Sequence, residues 1–278
     1  MSTSILGEGE IARCLEVARE TAREAGALAQ RGRHEGIAIE NKGEVDLVTD
    51  CDHRCEALVI ERLSKAFPDH HIVGEEGGGG AQSDVGDQPV WYVDPIDGTT
   101  NFAHGMPWYA VSLGLEQGGV RLCGAVYVPE NGWEFHARRG CGAYLGEHRL
   151  FVSKTPDLDR ALVATGFGYD RRRTPDNNLD EFRAVLLRCQ GMRRIGVASI
   201  DLAMVARGWL DAYWEIKLSP WDISAGALLV QEAGGRVSGL DGADLDSRNG
   251  YTVASNGKFH DELIAILQRV RAEREAGA

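Results

Sequence analysis

The segment Trp91–Gly105 (WYVDPIDGTTNFAHG) constrains the fold of this chain more than any other part of the sequence. A β-favouring run ends at Asp94, Pro95 fixes one backbone angle, and Gly98 then frees the backbone to turn. Asp97 supplies a second carboxylate inside this turn. The sequence therefore predicts two carboxylates held on a rigid turn at the end of a strand.

The residues after this turn predict a short helix over Thr99–Ala103 that ends at Gly105. Its first backbone N–H groups would face the same place as the two carboxylates. Carboxylates and N–H groups together suit a phosphate held through divalent cations, and hard oxygen ligands favour Mg²⁺. The alternative is an ordinary Asx-type turn whose acidic side chains are solvated.

The composition is that of a globular protein with an excess of acidic residues. The chain has 278 residues, of which 43% are hydrophobic and 26% are charged, so it can bury a substantial core. Its formal net charge of −12 opposes a broad electrostatic grip on nucleic acid or on an anionic membrane. No run approaches about 18 apolar residues and no signal-peptide pattern is seen, so we expect a cytoplasmic protein. The six cysteines form no CxxC pair and match no zinc spacing, so we expect reduced thiols.

Helical periodicity predicts an amphipathic helix over residues 8–33, and Thr49 or Asp50 is expected to cap a second helix. The glycine run Gly77–Gly80 predicts a mobile loop. An antiparallel meander is predicted from three strand-like segments joined by short turns, at 110–115, 120–128 and 133–137.

The pattern of elements changes near Leu150, because helical and strand-like segments alternate only after it. We therefore expect an α+β fold in which an antiparallel-rich N-terminal half, residues 1–149, packs on a mixed α/β C-terminal half, residues 150–278. Further strands are predicted at 71–74, 90–93, 161–165, 212–214 and 236–237, and further helices at 180–189 and 199–207.

Four strings of the sequence resemble the inositol monophosphatase family, which lies in the wider lithium-sensitive, Mg²⁺-dependent sugar-phosphatase superfamily. They occur in the family's order and at similar separations, and the match covers nearly the whole chain. The resemblance implies a layered αβαβα sugar-phosphatase fold. The strings are DLVTDCD at Asp46–Asp52, GEE at Gly74–Glu76, DPIDGTTNF at Asp94–Phe102 and WDISAGALLVQEAGG at Trp221–Gly235.

The resemblance also implies which residues form the site. Gly98 and Thr99 would contact the phosphate through their N–H groups, and Asp52 resembles a further ligand for a weaker third metal. Lys42 resembles the residue of a mobile loop beside that third metal. The metal ligands implied are Glu75, Asp94, Asp97, Asp222 and the carbonyl oxygen of Ile96, and the catalytic residues implied are Glu75, Asp97 and Thr99.

Substrate recognition is implied for a second group of residues. Glu215 lies where the family has a carboxylate that binds the substrate's hydroxyl groups. Ala198 resembles a second sugar-facing position, and Asp97 is also implied to contact the substrate. Thr165 lies where the family has a further polar residue. The alternative for Glu215 is a surface acid that pairs with Lys217, because such pairs are common and weak.

The activity implied is Mg²⁺-dependent hydrolysis of inositol monophosphate to inositol and phosphate by a metal-activated water, with two Mg²⁺ ions in each active site. The resemblance also implies a homodimer. The string TTNF favours inositol monophosphatases over related branches that carry Lys at the position of Thr100. A broader sugar phosphatase that also cleaves fructose 1,6-bisphosphate is one alternative. Another is a binding role in transcription complexes, as in some bacterial relatives, through protein contacts because the net charge disfavours direct nucleic-acid binding.

Overall fold

The computed structural model describes residues 5–36, 38–44, 46–77 and 86–277. The helices within these residues are α1 (Glu8–Glu35), α2 (Asp50–Ala66), α3 (Thr99–Ala103), α4 (Leu179–Leu186), α5 (Ala198–Arg207), α6 (Pro220–Glu232) and α7 (His260–Gly277). The strands are β1 (Ile39–Asn41), β2 (Leu47–Thr49), β3 (His71–Gly74), β4 (Pro89–Asp97), β5 (Ala110–Gln117), β6 (Val120–Val128), β7 (Trp133–Arg138), β8 (Gly142–Leu145), β9 (His148–Arg149), β10 (Leu162–Thr165), β11 (Gly191–Arg193), β12 (Ala212–Glu215), β13 (Arg236–Ser238) and β14 (Thr252–Ser255).

The larger sheet has seven strands in the order β3-β4-β5-β6-β7-β8-β9. The strands β5, β6 and β7 are antiparallel neighbours, so the predicted meander is confirmed. The parallel pairing of β3 with β4 and the short strands β8 and β9 were not predicted. Parallel pairing depends on contacts between segments that are not joined by a tight turn, and a local pattern does not reveal it.

The smaller sheet has five strands in the order β11-β10-β12-β14-β13. The strand β10 lies parallel to β11 and β12, whereas β14 is antiparallel to β12 and β13, so this half of the chain is mixed as predicted. Two of its strands, β11 and β14, were not predicted. All four residues of β14 are buried, so it lacks the alternation that marks a half-exposed strand.

The helices cover both sheets and also separate them. The helices α1 and α2 pack on one face of the larger sheet, and α5 and α6 pack between its other face and the smaller sheet. The helices α4 and α7 pack together on the outer side of the smaller sheet, where α7 contacts β14. This is the layered αβαβα arrangement that the sequence resemblance implied.

The proposed boundary near Leu150 stays a prediction. Every strand of the larger sheet precedes Leu150 and every strand of the smaller sheet follows it. The two halves nevertheless share a core, in which Val126 and Phe135 of the first half pack with Ile200 and Leu229 of the second. The two halves are therefore joined by buried apolar contacts.

The glycine run that the sequence marks as a mobile loop lies, beyond Gly77, outside the described residues. All six cysteines are unpaired thiols, as expected. In the part of the chain that the structure describes, no helix is both long enough and apolar enough to cross a membrane.

The helix α6 lies unusually close to the larger sheet. A Cβ atom at Gly124 of β6 would lie 2.8 Å from the Cα atom of Ala225 in α6. Contacts this short do not occur between real Cβ atoms and backbone, so the approach of helix to sheet requires glycine at this position. The packing matters for function because the next turn of α6 toward its N-terminus carries Asp222.

We expect Gly124→Ala to destabilise the protein by about 1 to 3 kcal/mol, the usual cost of overpacking a close-packed interior. The measurement is the free energy of unfolding in a denaturant titration. Gly9→Ala is the matched control, since a Cβ there meets nothing within 4 Å and Gly9 lies in the first turn of α1. Equal stability of the two variants would contradict the close contact.

Candidate metal centre and active site

Three carboxylates meet where the larger sheet approaches α6. Asp94 and Asp97 lie at the end of β4, and Asp222 lies in the first turn of α6. One oxygen of each carboxylate lies within 4.8 Å of the others. The register between β4 and β5 shifts between Asp94 and Asp97, which is the kind of irregularity that redirects side chains on a strand.

The turn itself contains the local hydrogen bond expected for an Asx-type turn. The backbone N–H of Ile96 donates to Oδ1 of Asp94 at 3.0 Å. The acidic side chains are buried rather than solvated, because Asp94 is 1% exposed and Asp97 is 7% exposed. The Asx turn is therefore present, but it serves to hold a buried acid cluster.

Two of the three acids are held by backbone N–H groups at the start of helices. Asp97 Oδ2 accepts a hydrogen bond from the N–H of Ser199 in the first turn of α5, at 2.7 Å. Asp222 Oδ2 accepts one from the N–H of Ser219, the residue that caps α6, at 2.7 Å. Helix N-termini favour negative charge, so both bonds stabilise the ionised carboxylates and fix their orientation.

Thr99 lies behind this cluster in a second set of hydrogen bonds. Its hydroxyl lies 3.1 Å from the carbonyl oxygen of Ile96 and 3.1 Å from Oδ1 of Asp52. The other oxygen of Asp52 accepts from the N–H of Thr49 at 2.8 Å, in the capping box that begins α2. Asp52 thus holds Thr99 in place, and its role as a ligand of a third metal stays a prediction.

Glu75 follows β3 and adjoins Asp94, whose carboxylate forms a side-chain hydrogen bond with it. Burial raises the pKa of Glu75 to about 7, and the nearby charge of Lys42 partly opposes that rise. The Lys42 ammonium lies 3.6 Å from Glu75 and donates to Glu76 at 2.6 Å. The segment that carries Lys42 therefore lies beside Glu75 and Glu76, and its place beside a third metal stays a prediction.

The acids of the cluster hold protons unusually strongly. Burial, followed by repulsion from Glu75, Asp97 and Asp222, raises the pKa of Asp94 well above its usual range. Burial also raises the pKa of Asp97 to about 6, and that of Asp222 well above its usual range. A divalent cation would supply the positive charge that these buried oxygens lack, so the residues fit a hard metal ion.

A cavity of about 550 Å³ opens onto the cluster. The predicted side chains that it brings together come from both sheets and from the starts of three helices. Asp52 and Thr165 are not among its lining residues. The predicted site residues that do line it are Lys42, Glu75, Asp94, Ile96, Asp97, Gly98, Thr99, Ala198, Glu215 and Asp222.

Gly98 and Ala198 lie close together on the floor of this cavity. Gly98 has φ of +93°, and a Cβ there would lie 2.7 Å from Val197, the residue that caps α5. The chain can therefore turn here only with glycine, which leaves the backbone of Gly98 open to a ligand. Ala198 lines the cavity at the start of α5.

Glu215 lies on the opposite side of the cavity, at the end of β12. Its Oε2 atom accepts a hydrogen bond from the hydroxyl of Tyr213 at 2.6 Å, and burial raises its pKa to about 7. Lys217 instead pairs with Asp170, at 2.6 Å. Glu215 is therefore a partly buried carboxylate that lines the cavity, and the surface pair with Lys217 does not form.

Thr165 lies under the cavity and does not reach it. Its hydroxyl donates to the carbonyl oxygen of Trp214 at 2.6 Å and accepts from the side chain of Asn178 at 2.8 Å. The hydroxyl is thus used within the protein. Sequence reasoning missed several residues that do line the cavity, because tertiary packing rather than any motif brings them there: Phe167, Tyr169 and Arg194.

The chain matches known proteins over almost its whole length. The model of the inositol monophosphatase family matches residues 10–272. The inositol-1-monophosphatase of Synechocystis is 44% identical over 255 residues, which cover 91% of this chain and 88% of that protein. A protein of Pseudomonas aeruginosa named Nus factor SuhB is 43% identical over 258 residues, which cover 91% of this chain and 95% of that protein.

A solved structure agrees with these sequence matches. The inositol monophosphatase of Anabaena resembles this structure with a TM-score of 0.84 and is 39% identical, and the match covers 94% of this chain and 97% of that chain. The predicted family and the layered fold are thereby confirmed. The chain belongs to the inositol monophosphatase family and is a phosphatase.

Proposed function

We propose that this phosphatase hydrolyses inositol monophosphate to inositol and phosphate and depends on Mg²⁺. The observation that carries the proposal is the set of three clustered carboxylates, the buried Asp94 and Asp97 and the partly buried Asp222, which line a cavity that Glu215 also lines. The name of the Synechocystis relative supports inositol monophosphate as the substrate.

The proposed metal ligands are the buried acids and one backbone oxygen. Bound Mg²⁺ supplies positive charge that stabilises the phosphate in the transition state and lowers the pKa of water. We assign two ions to the site, with a weaker third at Asp52. The ligands are Glu75, Asp94, Asp97, Asp222 and the carbonyl oxygen of Ile96, all of which line the cavity.

The chain's own groups orient the reactants. Glu75 and the hydroxyl of Thr99 position the attacking water, and Asp52 keeps that hydroxyl in place through its contact at 3.1 Å. The N–H groups of Gly98 and Thr99 bind the oxygens of the phosphate. The water attacks phosphorus in line with the departing alkoxide, so no covalent bond between enzyme and phosphate is required.

Recognition of the polyol is assigned to the other side of the cavity. The carboxylate of Glu215 accepts a hydrogen bond from a substrate hydroxyl there, and Ala198 and Asp97 contact the substrate from the side of the acid cluster. Support comes from the burial of Glu215 and from its position on the cavity wall. Hydrogen bonds to a charged group of this kind contribute about 1.5 to 3 kcal/mol.

Two alternative functions are compatible with the same family: a broader substrate range and an added binding role. A broader sugar phosphatase would also cleave fructose 1,6-bisphosphate, and assays of both substrates with Mg²⁺ distinguish the two activities. The relative named Nus factor SuhB favours an added binding role in transcription. A pull-down with a metal-ligand variant tests that role.

We also propose that the protein is a cytoplasmic homodimer. Analytical ultracentrifugation would test the oligomeric state.

We expect Asp94→Asn to lower kcat by at least about 10²- to 10³-fold, the loss seen when one strong transition-state stabiliser is removed. The physical reason is that Asn lacks the charge that Asp94 offers to the metal pair. The measurement is steady-state hydrolysis of inositol 1-phosphate across a Mg²⁺ titration. Near-normal turnover at saturating Mg²⁺ would contradict the assignment of Asp94 as a metal ligand.

Asp222→Asn and Glu215→Gln should differ in kind. Asp222→Asn weakens a metal ligand, so kcat should fall on every phosphomonoester and the Mg²⁺ requirement should rise. Glu215→Gln removes one charged acceptor, so kcat/KM should fall about 10- to 150-fold on inositol 1-phosphate and change little on an aryl phosphate. Equal losses on both substrates for Glu215→Gln would withdraw its assignment to recognition.

Li⁺ at millimolar concentration should inhibit the enzyme. Li⁺ is close to Mg²⁺ in size but has half its charge, so it stabilises the departing oxygen less well when it replaces Mg²⁺. The measurement is the rate of inositol 1-phosphate hydrolysis during a Li⁺ titration, with Na⁺ keeping the ionic strength constant. Unchanged activity would show that the second metal site differs from the one proposed.

A further inference from the structure

The carboxylate of Glu215 is enclosed from two sides by groups that no family motif singled out. On one side lies Gly166, just after β10, and a Cβ atom at that position would overlap the Glu215 carboxylate. Gly166 has no left-handed φ, so its glycine is needed for the space and not for the turn. The Glu215 carboxylate thus occupies the space that a side chain at position 166 would fill.

On the other side lies Tyr213, two residues earlier on β12 and therefore on the same face of the sheet. Its ring is fully buried within the core between the two sheets, among side chains that include Ala164 and Ala254. Its hydroxyl donates to Oε2 of Glu215 at 2.6 Å. Because the ring cannot move within this packing, the hydroxyl is a fixed point for the carboxylate.

We propose that Tyr213 is a positioning residue for substrate recognition: together with the space at Gly166 it holds the Glu215 carboxylate in one orientation. Oε2 is then committed to Tyr213, and Oε1 is left as the acceptor for a hydroxyl of the substrate. The proposal rests on the function assigned to Glu215 above. Because Oε1 of Glu215 is already oriented, it loses little conformational entropy when it accepts a hydrogen bond from the substrate. Substrates with a hydroxyl group in reach of Oε1 should therefore be hydrolysed more efficiently than substrates without one.

Several charged groups face Glu215 and set its protonation. Tyr213 of β12 and Arg194, from the loop before α5, favour its charged form. Asp97 of β4, Asp201 of α5 and Asp222 of α6 repel it, and burial raises its pKa to about 7. Removal of the Tyr213 hydroxyl takes away a stabilising hydrogen bond, so the pKa of Glu215 rises further.

The test compares Tyr213→Phe with the intact enzyme on two substrates, inositol 1-phosphate and an aryl phosphate without hydroxyl groups. We expect kcat/KM on inositol 1-phosphate to fall about 5- to 20-fold, mainly through KM, because the acceptor remains but is no longer held. For the aryl phosphate, kcat/KM should change less than about twofold, because this substrate has no hydroxyl group for Glu215 to bind. The acidic limb of the pH profile should move to higher pH for inositol 1-phosphate alone.

Tyr109→Phe is the matched control. Tyr109 is also fully buried, and its hydroxyl donates to a carboxylate, that of Glu130, at 2.9 Å. Tyr109→Phe also removes a hydroxyl that donates to a carboxylate, but Tyr109 does not line the cavity. The ratio of the kcat/KM values for the two substrates should therefore stay the same. A change in that ratio equal to that of Tyr213→Phe would overturn the proposal.

Two further variants keep the outcome interpretable. Gly166→Ala displaces the carboxylate from its other side and should give the same substrate-selective loss with the Tyr213 hydroxyl in place. In a Glu215→Ala background, Tyr213→Phe should have no further effect on that selectivity. Selective loss in Glu215→Ala without selective loss in Tyr213→Phe overturns the positioning role, whereas equal loss on both substrates in Glu215→Ala overturns the function assigned to Glu215.

Discussion

The chemistry of the site depends on three carboxylates held close together at the base of the cavity, those of the buried Asp94 and Asp97 and of the partly buried Asp222. N–H groups of Ser199 and Ser219 balance part of this charge. Burial nevertheless raises the pKa of every member, and for Asp94 and Asp222 repulsion from neighbouring carboxylates adds to the rise. A divalent cation, as proposed above, would balance the remainder and would give an acidic chain a way to bind a phosphate.

The acid cluster and Glu215, to which we assign substrate recognition, lie on different elements of the scaffold. Asp94 and Asp97 come from the larger sheet, and Asp222 reaches them because α6 packs tightly against that sheet at Gly124. Glu215 comes from the smaller sheet on the other side of the cavity. With recognition assigned to Glu215 as proposed, substitutions on the smaller sheet would alter which alcohol is recognised while the acid cluster stays intact.

The sequence predicted the parts of the site that are encoded by short local motifs. The turn around Asp94 and the short helix at Thr99–Ala103 formed as predicted, because proline and glycine dictate the backbone there. The setting of Glu215 was not predictable, since Tyr213 and Gly166 meet it through tertiary packing. The strands β11 and β14 were missed for a related reason, because short or fully buried segments show no alternation.

Proton release on Mg²⁺ binding tests the central claim most directly. Burial raises the pKa of Glu75 to about 7, and it raises those of Asp94 and Asp222 in the same direction, so in the metal-free site Glu75 retains part of its proton at pH 7. Calorimetric Mg²⁺ titrations in two buffers of different ionisation enthalpy should show protons released at pH 7, with less release as the pH rises above those pKa values. Mg²⁺ binding without proton release at pH 7 would contradict the account.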